Sequence, residues 1–271
     1  MNGASREALA AARERLDALT DSTSVDAAKL ADELAAVTAL LDREVSLRRV
    51  LTDPAQAGEA KAELAQRLLG GQVGGETADL LAGMVRSRWS QSRDLVDALE
   101  ELANTADLTA AQKAGTLDEV EDELFRFGRI VSSSTELRAA LTNRAATGTA
   151  KGELLRSLLG GRAKATTERL VTRLVTAPRG RSLESGLESL SKLAADRRDR
   201  MVAVVTSAVP LSDRQKQRLG AALAKLYGRP MHLNLDVDPE VVGGIRVQVG
   251  DEVINGSLAD RIEAAGRRLA S

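Results

Sequence analysis

The chain has no cysteine, which excludes disulfides, thiolate metal sites and a thiol nucleophile. Aromatic side chains are almost as scarce, at 1% of 271 residues: Trp89, Tyr227, Phe125 and Phe127. A core must therefore be built from Leu, Val and Ala, and Leu and Ala are strong helix formers. Neither sign of charge is in excess, with 38 basic and 39 acidic side chains and a net charge of −1. A nucleic-acid binder usually needs a basic surplus to displace counterions and aromatic rings on which bases stack, so that class is disfavoured. No apolar run approaches the roughly 18 residues that span a bilayer. The N-terminal Met1-Asn2-Gly3-Ala4-Ser5-Arg6-Glu7 is charged early and lacks the apolar stretch of a signal peptide. If the protein works at a membrane, a partner is expected to hold it there.

What is present is ordinary for a folded protein: 43% hydrophobic and 28% charged residues, with length enough for two or three domains. From Ser5 to about Arg200 apolar residues recur at helical spacing, as in Leu95, Leu99 and Leu102, or Leu183, Leu187, Leu190 and Leu193. Thr116 with Glu119 has the spacing of a capping box, Gly70 and Gly160 each follow a Leu-Leu pair as helix stops, and Pro178 breaks the pattern. The segment from about Ala31 to Val85 aligns without gaps on Glu121 to Val175, ninety residues further on. Asp32-Glu33-Leu34 matches Asp122-Glu123-Leu124, Leu51-Thr52 matches Leu141-Thr142, Glu63-Leu64 matches Glu153-Leu154, and Leu68-Leu69-Gly70-Gly71 matches Leu158-Leu159-Gly160-Gly161. That period is far above the ~20–50 residues of stacked solenoid repeats and indicates a duplicated helical domain. One helix is expected to run through the seam near Ala103 to Ala114.

The texture changes after Asp199. Met201 to Val209 is β-branched and ends at Pro210, as a strand does. Ser212 with Gln215 has capping-box spacing and opens a helix to about Tyr227. Leu233, Leu235 and Val237 alternate with polar residues, as do Ile245, Val247 and Val249, and Gly250-Asp251 supplies a tight turn into Glu252-Val253-Ile254. A closing helix is expected over Leu258 to Leu269. The fold class is thus mainly α: a helical domain over 1–105, its second copy over 106–200, and a small α/β domain over 201–271.

No residue set in this sequence demands catalysis, a cofactor or a metal. Gly70-Gly71-Gln72-Val73-Gly74-Gly75-Glu76-Thr77 is glycine-rich, but Glu76 stands where a phosphate loop requires Lys and would repel a phosphate. His232 is the only histidine and reads as a surface strand residue. The acidic side chains lie three or four residues from Arg and Lys on helices, as solvated faces do. The basic clusters Arg179-Gly180-Arg181 and Arg197-Arg198-Asp199-Arg200 flank helix ends, where a solvated turn or a protein contact explains them.

The stretch from Asp236 to Leu258 carries, in order, Asp238-Pro239, Gly243-Gly244, a hairpin with Gly250-Asp251 at its tip, and Gly256-Ser257 before the last helix. That order resembles the C-terminal signature of the delta subunit of F-type ATP synthases, the oligomycin-sensitivity-conferring protein family. Thr206 to Ser212 is similar to that family's strand-to-helix junction, and Leu137 to Gly161 to its helical domain, so the resemblance runs from about residue 100 to the end. The glycines and neighbours Pro239, Gly243, Gly244, Gly250, Asp251, Gly256 and Ser257 are read as structural, suiting bends, a positive φ and an N-cap. The resemblance implies a non-catalytic stator subunit, one copy per complex. It implies a helical bundle that grips alpha, and with it beta, subunits of the catalytic head, and a C-terminal domain that holds b-type peripheral-stalk subunits. Rotation of the rotor by protons would then be coupled to ATP synthesis at the cytoplasmic face of the cell membrane, with no insertion of this chain and no nucleic acid. The family usually has a single helical bundle. The copy near residue 106 continues into the tail as the family's does, which leaves the first as an added spacer or a second docking surface.

Overall fold

The computed structural model describes residues 2–21, 25–198, 201–227, 231–238, 244–249 and 252–255. Two compact units, Met1–Arg197 and Arg198–Ser271, divide the chain.

The first unit is all helix: α1 (Gly3–Asp21), α2 (Ala27–Arg43), α3 (Val45–Thr52), α4 (Gly58–Leu69), α5 (Gly75–Arg86), α6 (Ser92–Lys113), α7 (Leu117–Ser133), α8 (Thr135–Thr142), α9 (Gly148–Leu159), α10 (Ala165–Thr176) and α11 (Leu183–Arg198). The duplication is visible in these bounds, because α2 to α5 begin at 27, 45, 58 and 75 and α7 to α10 begin ninety residues later at 117, 135, 148 and 165. Each helix buries one stripe. In α7 that stripe is Leu117, Val120, Leu124, Phe127 and Val131, the three-and-four spacing of a helix face.

Two apolar cores result, and α6 serves both. Its first half places Leu95, Leu99 and Leu102 against Leu16, Leu34, Leu80 and Leu81. Its second half places Leu108 and Ala111 against Leu117, Leu124, Leu170 and Leu190. The expected continuous helix through the seam is therefore present, and the sequence boundary between residues 105 and 106 falls inside it. Trp89 enlarges the first core, where its indole N–H donates to the Met84 carbonyl at 2.8 Å.

Local punctuation follows the expectations in part. Gly70 and Gly160 do end α4 and α9, and each must be glycine, since a Cβ would lie 2.5 Å from the carbonyl oxygen of Gln66 or Arg156. Thr116 does not cap α7: its hydroxyl donates backward to the Ala111 carbonyl at 3.3 Å instead, so the expected capping box is absent. Helices α5 and α10 are capped from another helix. The N–H of Gly74 donates to the Glu33 carboxylate at 2.9 Å, and Thr77 donates its hydroxyl to the same oxygen. Ninety residues on, the N–H of Lys164 donates to Glu123 at 2.9 Å and the Thr167 hydroxyl at 2.5 Å. An acceptor at a helix N-terminus satisfies donors that have no intrahelical partner.

The second unit carries β1 (Met201–Ser207), α12 (Asp213–Tyr227), β2 (Met231–Val237), β3 (Ile245–Val249) and β4 (Glu252–Asn255). Strand order is β2-β1-β3-β4. Strands β1 and β2 are parallel, as strands joined through a helix can be, while β3 runs antiparallel to β1 and to β4. Leu219, Leu223 and Tyr227 of α12 pack on Ala203, Val205, Val247 and Val249. Half of the capping box expected at the start of α12 forms: the Ser212 N–H donates to Gln215 Oε1 at 2.9 Å, while the Ser212 hydroxyl donates to the same oxygen at 2.7 Å.

Candidate docking site

The helical unit is held together by more than apolar packing. Arginines of the second copy reach carboxylates on the shared helix α6 and on α1 and α2 of the first. Arg173 donates to Asp107 at 2.9 Å and to Asn104 at 2.6 Å, and Arg169 lies 2.5 Å from Asp107 and 3.9 Å from Asp32. Arg179 sits 3.1 Å from Asp42 and 3.2 Å from Glu100, which also takes Arg181. Arg197 donates to Asp17 at 2.9 Å and to Gln112 at 2.6 Å. The Arg179–Glu100 pair is buried, exposing 5% and 3% of its side chains, and so is Arg197–Asp17, whereas Arg169–Asp32 lies open to solvent. Burial pushes the Asp107 carboxyl up from its ordinary value, with Arg173 and Arg169 opposing. Buried charges of this kind persist only when they are paired.

Of the basic clusters, Arg179, Arg181 and Arg197 thus make internal contacts, while Asp199 and Arg200 lie outside the described residues. Arg179 is turned inward by a left-handed backbone, φ 48°, that seats its guanidinium between two carboxylates. Arg93 adds a hydrogen bond to the Arg179 carbonyl at 2.7 Å. The glycine-rich stretch 70–77 opens α5 on the Glu33 carboxylate, so the helix end that could attract an anion already holds one. His232 lies in β2 opposite Val202.

Of the signature residues, only Gly244 lies among the described ones; it precedes β3 with φ 97°, a conformation that favours glycine. Pro239, Gly243, Gly250, Asp251, Gly256 and Ser257 fall outside the described residues, as does the closing helix expected over 258–269. The strands that flank Gly250-Asp251 pair antiparallel with Val249 opposite Glu252. Sequence reading missed the arginine–carboxylate seam altogether. The recurrence of Glu33 as Glu123 inside the repeat is a signal only for the two carboxylate caps.

The surface offers shallow features suited to a macromolecular partner. A cavity of about 220 Å³ lies among α6, α10 and α11, lined by Asp97, Glu100, Asn104, Leu170 and Leu174. A wider, largely apolar groove of about 500 Å³ lies between α7 and α11. Among the described residues no three His, Cys, Asp or Glu side chains gather as a metal site, and no helix is long and apolar enough to cross a membrane. Helices interlocked by a charge seam around two apolar cores are the frame of a structural helical-bundle protein.

Comparison with known proteins gives that class its family. The profile of the ATP synthase delta (OSCP) subunit matches residues 105–269. ATP synthase subunit delta of Streptomyces coelicolor is 87% identical over 271 residues, which cover 100% of this chain and 99% of that one. Its counterpart in Streptomyces griseus is 82% identical with full coverage of both, and that of Thermobifida fusca is 49% identical with full coverage of both. A chain of the Toxoplasma gondii mitochondrial ATP synthase hexamer aligns over 62% of this chain and 95% of its own at 22% identity, with a TM-score of 0.27 that supports no structural argument. The chain belongs to the ATP synthase delta (OSCP) subunit family, and it is a non-catalytic stator component of the F-type ATP synthase. The family profile covers the second helical copy and the tail, whereas the Streptomyces and Thermobifida relatives match through the first copy as well.

Proposed function

We propose that this chain ties the catalytic head of the synthase to its peripheral stalk. The helical unit grips alpha subunits, and through them the beta subunits, while the α/β unit holds b-type stalk subunits. The chain acts as three modules, 1–105, 106–200 and 201–271, with the first two welded into a single block. One copy serves each complex, at the cytoplasmic face of the cell membrane, and partners alone keep it there. Pro239, Gly243, Gly244, Gly250, Asp251, Gly256 and Ser257 shape the hairpin and the approach to the last segment and take no part in chemistry.

The observation that carries this reading is the buried seam of arginines and carboxylates across α1, α2, α6, α10 and α11. A stator transmits torque, and a part that transmits torque must not hinge. Two bundles joined by a bare linker would hinge; two bundles that share α6 and are pinned by buried ion pairs do not. Several linked contact areas also slow release from the complex, because loss of one leaves the others engaged.

Calorimetry of the full chain against an isolated alpha–beta head tests this directly. Tight one-to-one binding, abolished when the N-terminal segments of the alpha subunits are removed, is expected. Absence of binding to the intact head would refute it.

A further inference from the structure

The helices that start at 92 and 183, α6 and α11, hold equivalent places in the two copies but are seated differently. In the first copy α6 lies close along α2, with Leu95, Leu99 and Leu102 wholly buried. In the second, α11 stands off α7 across the groove of about 500 Å³. The cavity of about 220 Å³ lies on its other side, against α6 and α10. Interiors are close-packed, so a core helix that borders open space on two sides has room to move.

A few contacts set where α11 sits. Near its start Gly186 leans on α10, so closely that a Cβ there would run into Leu174 Cδ1. At its end Arg197 is fixed by Asp17 at 2.9 Å and by Gln112 at 2.6 Å. Glu184 lies 3.5 Å from Arg138, a half-exposed pair of the kind that contributes little. The start is the freer end: Gly180, with φ 81°, follows the anchored Arg179, and the tie of Arg181 to Glu100 is part-exposed. The facing wall is shaped to receive the helix. Where α2 has Ala35 and Thr38, α7 has Phe125 and Gly128. Phe125 leaves 58% of its surface in water, and a Cβ at Gly128 would meet open space, which leaves room for the ring. Arg129 on α7 and Glu188 on α11 line the same groove, and among the described residues neither has a partner.

We propose that α11 is a swinging strut with two seats, pivoting on Arg197. In the seat described above it leans on α10 and the groove is open. In the other its first turns lie against α7 over Phe125 and Gly128, as α6 lies against α2, and Glu188 meets Arg129. The same movement widens the cavity beside α6 and α10. Packed elements move by exchange between two discrete packings, because interiors do not deform continuously. The bundle thus carries its own lid, and the position of α11 decides whether Phe125 and the apolar trough face water.

The chain has no cysteine, so Ser132→Cys and Ser191→Cys place one thiol on each wall of the groove. The rate at which a short bismaleimide joins them within one full-length chain reads how often the groove closes. Gly186→Ala, whose methyl group displaces α11 from Leu174, should raise that rate about threefold or more, and Leu174→Ala added to it should bring the rate back toward the parent's. Phe125→Ala removes the ring that the closed seat buries and should lower the rate about threefold or more. Phe125 is exposed, so that variant keeps its fold and decides the matter even where Gly186→Ala does not fold, as circular dichroism shows for each. Equal rates in every variant would overturn the two-seat helix. So would a faster rate in Phe125→Ala, which would mark the ring as a prop that holds the groove open, or joining that occurs only between separate chains.

Discussion

The seam predicts a specific pattern of energetic coupling between residues 180 apart. Asp17 on α1 and Arg197 at the end of α11 meet at 2.9 Å, with side chains 4% and 7% exposed. Replacing Arg197 with Met keeps much of its volume but leaves the Asp17 carboxylate buried without its guanidinium and removes the bond to Gln112. Breaking a buried pair from one side costs about 3–5 kcal/mol, whereas replacing both partners is often close to neutral. Arg197→Met should therefore destabilise the helical unit by about 3 kcal/mol, a fall in Tm of roughly 6–12 °C for a unit of this size. Adding Asp17→Asn should restore at least half of that loss, giving a coupling energy of about 1.5 kcal/mol or more. Urea unfolding of the full chain, followed by far-ultraviolet circular dichroism, reads all four corners of the cycle. A single mutant within about 0.5 kcal/mol of the parent, or a double mutant that is simply additive, would refute the seam as a lock.

Other substitutions probe separate parts of the fold. Glu33→Ala and Glu123→Ala each remove a carboxylate that caps a helix from across the bundle, and each should cost about 1–2 kcal/mol, with similar values in the two copies. Gly160→Ala forces a Cβ onto the Arg156 carbonyl and should cost about 1–3 kcal/mol, while Gly71→Ala, with open space around it, should stay within about 0.5 kcal/mol. Lys61 is only 3% exposed, and burial holds its pKa below the ordinary lysine value. Because the folded pKa is the lower one, keeping Lys61 protonated opposes folding at neutral pH, and the penalty fades as pH rises through the folded pKa toward 10.5. Lys61→Met should raise Tm at pH 7, and the gap between the two proteins should narrow in thermal melts taken at rising alkaline pH.

Much of the architecture was legible because it is local or periodic. The repeat at ninety residues returned as helix starts at 27 and 117, 45 and 135, 58 and 148, and 75 and 165. Ser212 and Gln215 meet as their spacing suggests, since both lie within one turn, although only the Gln215 half of the box forms. The same spacing misled at Thr116, whose backbone N–H and hydroxyl both turn back to the Ala111 carbonyl near the end of α6. The seam was not legible at all. Its partners are 62 to 180 residues apart, and no spacing rule connects Arg173 with Asp107 or Arg197 with Asp17. Arg179 and Arg197 therefore looked like surface charges when they are interior struts. The family signature was the reverse case: its ordered residues identified the chain, although of them only Gly244 stands among the described residues.

As a stator subunit, this chain couples rotation to synthesis by holding the head still. Membranes bearing the F-type ATP synthase, stripped of this chain, allow that to be measured as ATP made after an imposed proton gradient. The head should still hydrolyse ATP while gradient-driven synthesis falls to background. Synthesis should return in proportion to added chain, saturating at one per complex. Synthesis that proceeds undiminished without the chain would contradict it.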